Sequence, residues 1–161
     1  MIIDLWKFFP ALRQIYSDLN ISDCLHNHLV QTLEFSSDVF IAGLAPGLLS
    51  TALLAVNNLR DIPTDLKVQK KTLAVQFGSC FARIEYIFCI IGALLIPMIL
   101  VFIHQKYWFS LAACLSVIPL IPTLQGIISG DSGEVLNETL AKTGKILLIF
   151  SILFSAGWLV G

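Results

Sequence analysis

Long apolar runs alternate with short polar segments along most of this chain. Uncharged runs cover residues 39–56, 86–103, 107–130 and 146–161. A helix needs about 20 apolar residues to cross the hydrocarbon core of a bilayer, so each of the first three runs predicts a transmembrane helix. The fourth run is short, and its helix reaches that length if it begins near Asn137. Pro119 and Pro122 predict a break within the third span.

The pattern as a whole predicts an all-α fold, a multi-pass transmembrane helix bundle of about four spans. The expected spans lie near residues 39–57, 86–103, 107–128 and 140–160, and a polar segment, residues 57–78, follows the first. Residues 1–28 form a leader of uncertain structure. Apolar residues such as Leu5 and Phe9 recur there at helical spacing, which is typical of an interfacial helix. Pro10 opposes that helix, and an unstructured leader is the alternative.

Composition supports a membrane protein. Hydrophobic residues make up 57% of the chain and charged residues 13%, whereas soluble domains carry roughly 25% charged residues. An ordinary soluble domain and a disordered chain are both excluded. The net charge of −1 does not indicate nucleic acid or any other charged partner.

The distribution of basic residues predicts the orientation. Seven lie on the side of the first and third loops: Arg60, Lys67, Lys70, Lys71, Arg83, Lys142 and Lys145. The opposite side has Lys106, together with Lys7 and Arg13 of the leader. Because positively charged loops tend to stay in the cytoplasm, residues 57–78 are expected to face it.

Acidic and basic residues collect in this polar segment. Asp61 and Asp65 are four residues apart, and Lys67, Lys70 and Lys71 follow. Charges at the end of a hydrophobic span are costly, so they indicate a function. Magnesium takes one or two protein carboxylates and fills its other positions with water and phosphate oxygens. The pattern is therefore consistent with half of a metal and diphosphate site.

A structural interpretation of the same residues remains open at this point. The two aspartates can charge the start of a short helix, and the lysines can form an ordinary positive-inside loop. Pro63 lies between the aspartates and disfavours helical geometry at Ile62. We therefore expect the first span to end near Asp61 and a short helix to begin near Pro63, with the two carboxylates on either side of a helix break.

The order of residues resembles a known family motif. Asn57-Asn58-x-Arg60-Asp61-x-x-x-Asp65, followed by Lys70-Lys71-Thr72-Leu73-Ala74-Val75 and Gly78, is similar to the second aspartate-rich motif of the UbiA superfamily of membrane prenyltransferases. Within it, the 1,4-dihydroxy-2-naphthoate polyprenyltransferases of menaquinone biosynthesis are most similar. Leu136-Asn137-x-x-Leu140-x-x-Thr143 also resembles that branch. Two positions depart from the motif, since Gln69 stands where the family usually has glycine and Lys71 where it usually has arginine.

The resemblance implies transfer of a polyprenyl group from its diphosphate to 1,4-dihydroxy-2-naphthoate. It implies Mg²⁺ as cofactor, with Asp61 and Asp65 as catalytic metal ligands. Asn57 would orient the aspartates. The implied diphosphate contacts are Asn57, Arg60, Lys67, Lys70 and Lys71. The expected partners are polyprenyl diphosphate, the aromatic acceptor and membrane lipid, and the expected location is the bacterial inner membrane.

The family has two aspartate-rich motifs in a bundle of about nine helices, and this sequence matches only the second. The expectation is therefore that residues 29–161 form the C-terminal half of a UbiA-type domain, as a truncated or split enzyme whose N-terminal half is supplied by another chain. A catalytically inactive membrane remnant is the alternative. A small anion-binding transport subunit ranks lower, because the spans contain only scattered polar residues such as Gln125.

Overall fold

The computed structural model describes residues 37–129 and 133–160. Six α-helices and two 3-10 turns occur in these ranges, and no strand does. The α-helices are α1 (Ser37–Lys67), α2 (Leu73–Phe77), α3 (Ser79–His104), α4 (Ala112–Leu115), α5 (Ile121–Ser129) and α6 (Glu134–Val160). The 3-10 turns are Trp108–Leu111 and Ile118–Leu120. The predicted leader, residues 1–28, lies outside the described residues.

Four segments are long and apolar enough to cross a membrane. They are Ser37–Lys67, Ser79–His104, Trp108–Ile128 and Val135–Val160. The predicted all-α bundle with four membrane spans is thereby confirmed. The third segment is interrupted as expected, because Pro119 lies in the second 3-10 turn and Pro122 in the first turn of α5.

Small side chains bring α1 and α3 together. Ala45 and Ala52 of α1, and Ala82 and Ala93 of α3, are fully buried. In a membrane, helices are not driven together by the hydrophobic effect, so their association depends on close packing. Small residues permit it because they let the helix backbones approach each other. Gly92 serves the same purpose, since a Cβ atom there would lie 2.9 Å from Leu48 Cδ1. The pair forms the most extensive helix contact of the fold.

Helix α6 packs against α1 and is tied to α3 by a buried hydrogen bond. The hydroxyls of Tyr86 in α3 and Thr143 in α6 lie 3.0 Å apart, and both residues are fully buried. At the other end of α6, Gly157 touches the first 3-10 turn, where a Cβ atom would lie 2.5 Å from Ser110 Cα. These contacts tie α6 to α3 near its middle and to the first 3-10 turn near its C-terminal end.

The expected helix break at Pro63 is wrong. Helix α1 runs without interruption to Lys67, with Pro63 inside it. A proline in a helix interior costs about 3 kcal/mol, but the helix is packed on both sides of it, because Leu59 and Asp65 are buried. The Thr64 hydroxyl also donates to the Asp61 carbonyl at 2.8 Å. Tertiary packing therefore overrides the local preference.

Candidate active site

The polar residues predicted from the sequence gather at one end of the bundle. The last turns of α1, the segment 68–72, α2 and the first turn of α6 contribute to this end. Since α1 is continuous, Asp61 and Asp65 are one turn apart on the same helix face, with Cβ atoms roughly 5–6 Å apart. The two carboxylates are thus neighbours through helix geometry.

Arg60 is the centre of a hydrogen-bond network. Its Nε and Nη2 groups donate to the two oxygens of Asp61 at 2.7 and 3.0 Å. Nη2 also donates to Asn57 Oδ1 at 2.8 Å. Nη1 donates to Asn137 Oδ1 at 3.2 Å. The bidentate arrangement is the strong form of an arginine–carboxylate pair.

Asn137 was not among the predicted site residues. It lies in the first turn of α6, far from Arg60 in sequence, and only the folded chain brings the two together. The one sequence observation that pointed to it was the resemblance of the segment around Leu136 and Asn137 to the family. That resemblance alone gave the residue no role.

Asp65 differs from Asp61 in its surroundings. The Asp65 side chain is 8% exposed and its Oδ1 lies 3.5 Å from Lys70 Nζ, whereas the Asp61 side chain is 28% exposed. Asp65 Oδ2 is buried and has no hydrogen-bond partner among the described residues. Lys70 also interacts electrostatically with Asp61. Because a buried carboxylate oxygen without a partner is costly, this oxygen is a candidate ligand for a cation.

The three lysines predicted for the site, Lys67, Lys70 and Lys71, do not contribute equally. Lys70 and Lys71 line a cavity of about 350 Å³ together with Asn57 and Asn58. The remaining lining residues are Leu54, Thr72, Leu73 and Gln76. The aspartates are not part of this lining. Lys67 lies at the exposed end of α1 and makes no ion pair within the described part of the chain.

A second cavity of about 270 Å³ adjoins the first and runs along α1. The two cavities share Leu54 and Asn57, and the second is also lined by Ser50, Leu53 and Leu140. Its lining is mostly apolar side chain. A polar pocket therefore continues into an apolar one between α1 and α6.

The donor set fits magnesium. Two carboxylates lie one turn apart, and one of them has a buried oxygen with no partner in residues 37–129 and 133–160. Oxygen ligands are what this ion prefers. Among the described residues, no three or more His, Cys, Asp or Glu side chains lie close enough together to hold a metal ion by themselves. A cation here would therefore complete its shell with water or substrate oxygens.

The segment that presents Lys70 and Lys71 begins with a Schellman motif. The Lys70 N–H donates to the Asp65 carbonyl at 2.9 Å and the Gln69 N–H to the Leu66 carbonyl at 3.3 Å. Gln69 has a φ of +55°, and glycine is the residue most often found in this position. The departure from the family motif at Gln69 thus falls at a residue whose backbone conformation favours glycine.

The fold and the site define a helical integral membrane protein with an acidic and basic cluster at one end of its bundle. The chain belongs to the UbiA prenyltransferase family, whose sequence profile matches residues 25–137. The family predicted from the motif is confirmed.

Curated relatives carry a common name, 1,4-dihydroxy-2-naphthoate octaprenyltransferase. The protein from Haemophilus influenzae is 30% identical over 134 residues, which is 83% of this chain and 44% of the relative. That from Mycobacterium tuberculosis is 34% identical over 110 residues, 68% of this chain and 36% of the relative. The match thus spans less than half of each relative's length. No solved structure gave a significant match.

Proposed function

We propose that this chain forms the diphosphate-binding part of a prenyltransferase that acts on 1,4-dihydroxy-2-naphthoate in menaquinone biosynthesis. Family membership and the names of the relatives support the reaction class. The observation that carries the proposal is the buried, partly unpartnered Asp65 beside Lys70, one helix turn from the Arg60–Asp61 pair. This combination suits a substrate that is both anionic and bound through a metal ion.

Asp61 and Asp65 are the residues that would hold Mg²⁺, which when bound supplies positive charge to a departing diphosphate. Lys70 and Lys71, at the polar cavity, neutralise further phosphate charge. Lysine does this as a point charge, so Lys71 lacks the bidentate grip of the arginine usual in the family. Fixed cations aimed at the developing negative charge stabilise the transition state.

The apolar cavity suits the hydrocarbon part of the substrate. Leu53, Leu54 and Leu140 line it, directly next to Asn57 at the polar end. A prenyl chain lying there would place its diphosphate against the lysines. An apolar surrounding also excludes water. The exclusion of water protects an allylic cation from hydrolysis until the electron-rich ring attacks it.

The proposal includes the inner membrane of a bacterium as the location and a cytoplasmic site. The basic residues on the side of the site outnumber those on the other side, and the positive-inside tendency is the support for this orientation. The proposal also includes a second chain segment with the family's other aspartate-rich motif. Without it, this chain would be an inactive membrane remnant.

A chimera tests the proposal. The aligned segment of the Haemophilus influenzae relative is replaced by the matching residues of this chain, and menaquinone is measured in a bacterial strain that lacks its own octaprenyltransferase. We expect the chimera to restore menaquinone, and we expect prenyl transfer by membranes isolated from the strain to require added magnesium. Asp61→Asn and Asp65→Asn should each lower the product by at least about tenfold, because even residues that only orient metal ligands are worth roughly 10–100-fold.

Lys106→Gln serves as the charge-removing control, because Lys106 lies on the opposite side of the bundle. A chimera that reaches the membrane in normal amount but forms no product would favour the inactive remnant. Full activity in both aspartate variants would refute the assignment of the site.

A further inference from the structure

Asn137 is the side chain through which α6 reaches the charged network of α1. Its Oδ1 accepts from Arg60 Nη1 at 3.2 Å, whereas the other partners of Arg60, Asn57 and Asp61, belong to α1 itself. A guanidinium group only donates hydrogen bonds, so the amide must present its oxygen to it. The orientation of the Asn137 side chain is thereby fixed.

The four hydrogen bonds of Arg60 are of two kinds. Two go to the charged oxygens of Asp61, and two go to the neutral amide oxygens of Asn57 and Asn137. A cation bound by Asp61 would compete for the oxygens that Arg60 now holds. The two amides would then be the contacts left to hold the guanidinium beside the substrate.

We infer that Asn137 is a positioning residue that keeps the Arg60 guanidinium at the site when Asp61 is engaged by a cation; this inference rests on the proposed function. An amide suits the task because it accepts a hydrogen bond without neutralising the arginine. The full positive charge therefore stays available to a diphosphate. Because Asn57 and Asn137 lie on different helices, they restrain the guanidinium from two directions.

The first experiment needs no substrate and is run with and without magnesium, because the inference concerns Arg60 when a cation engages Asp61. The purified chain in detergent is treated with phenylglyoxal, which reacts with arginine side chains, and the modification rates of the peptides containing Arg60 and Arg83 are followed by mass spectrometry. We expect Asn137→Ala to raise the rate at Arg60 roughly 3- to 10-fold, since one solvent-exposed hydrogen bond of 3.2 Å is lost. In the Asn137→Asp variant, the modification rate at Arg60 should be equal to or below that of the wild type, because a carboxylate also accepts a hydrogen bond from the guanidinium.

Two controls separate positioning from loosening of the fold. Glu138→Gln changes the next residue of α6, which pairs with Lys142 at 2.7 Å, and should leave the Arg60 rate unchanged. The Arg83 rate should stay constant in every variant. An unchanged Arg60 rate in Asn137→Ala, or a parallel rise at Arg83, would contradict the inference.

The second experiment measures inorganic diphosphate binding in the presence of magnesium by calorimetry on the same preparations. Asn137→Ala should weaken binding roughly 3- to 10-fold, and it should add no further loss in an Arg60→Lys background, because residues that act through one another are not additive. Asn137→Asp should hold Arg60 yet fail to restore affinity, since its charge repels the ligand.

Equal losses from Asn137→Ala in both backgrounds would refute the positioning role. If the wild-type chain binds no diphosphate, the proposed function of this chain is contradicted, and the phenylglyoxal rates still decide whether Asn137 holds Arg60.

Discussion

Replacing Gln69 by glycine should stabilise the protein. Gln69 occupies the left-handed position at the end of α1, with φ +55°, where a side chain costs roughly 1–2 kcal/mol relative to the right-handed region. Glycine avoids this cost but loses more conformational entropy on folding, by roughly 0.5–1 kcal/mol. The expected net gain is therefore up to about 1 kcal/mol.

A stabilisation of that size raises the midpoint of thermal unfolding by about 2–4 °C for a chain of this length. The assay is a thermal unfolding curve of the purified protein in detergent. Hydrogen exchange gives a local readout, because the Lys70 N–H bonds to the Asp65 carbonyl across this turn, and its exchange should slow by up to about fivefold.

Gln69→Ala is the matched control. Alanine removes the long side chain but keeps the Cβ atom responsible for the backbone cost, so its unfolding temperature should stay at or below that of the wild type. If alanine stabilised the protein as much as glycine, the backbone explanation would be wrong and the Gln69 side chain itself would be the unfavourable element.

Two further changes test the packing that positions the site. Gly157→Ala should destabilise the protein by roughly 1–3 kcal/mol, because its Cβ atom would lie 2.5 Å from Ser110 Cα. Gly144→Ala should be tolerated, because its Cβ atom would lie 3.8 Å from Leu53 Cδ1. Equal unfolding temperatures of the two variants would contradict the close approach at Gly157. Tyr86→Phe should cost about 1 kcal/mol, because the buried hydrogen bond to Thr143 is lost. In urea unfolding, the double variant with Thr143→Val should lose less free energy of unfolding than the two single variants lose together. Strictly additive losses would refute a direct hydrogen bond.

The sequence allowed the bundle to be predicted, together with several of the charged residues that the structure brings together at one end of it. Uncharged runs located the four spans, the fourth once its helix was extended back toward Asn137, because backbone groups in lipid must be satisfied within helices. Asp61, Asp65, Arg60 and Lys70 were all named from their order in the chain. The local signal failed at Pro63, where burial on both sides of the proline keeps α1 helical.

What the sequence by itself determined is the class of the protein: length and apolarity dictate membrane helices, and the order of charged residues dictates the family motif. What only the tertiary structure decided is how these charges are distributed. It buries Asp65 and leaves one of its oxygens without a partner in the described part of the chain, and it places Asn137 against Arg60. The contact between Asn137 and Arg60 follows from the packing of α6 on α1, a long-range contact that no local pattern of residues specifies.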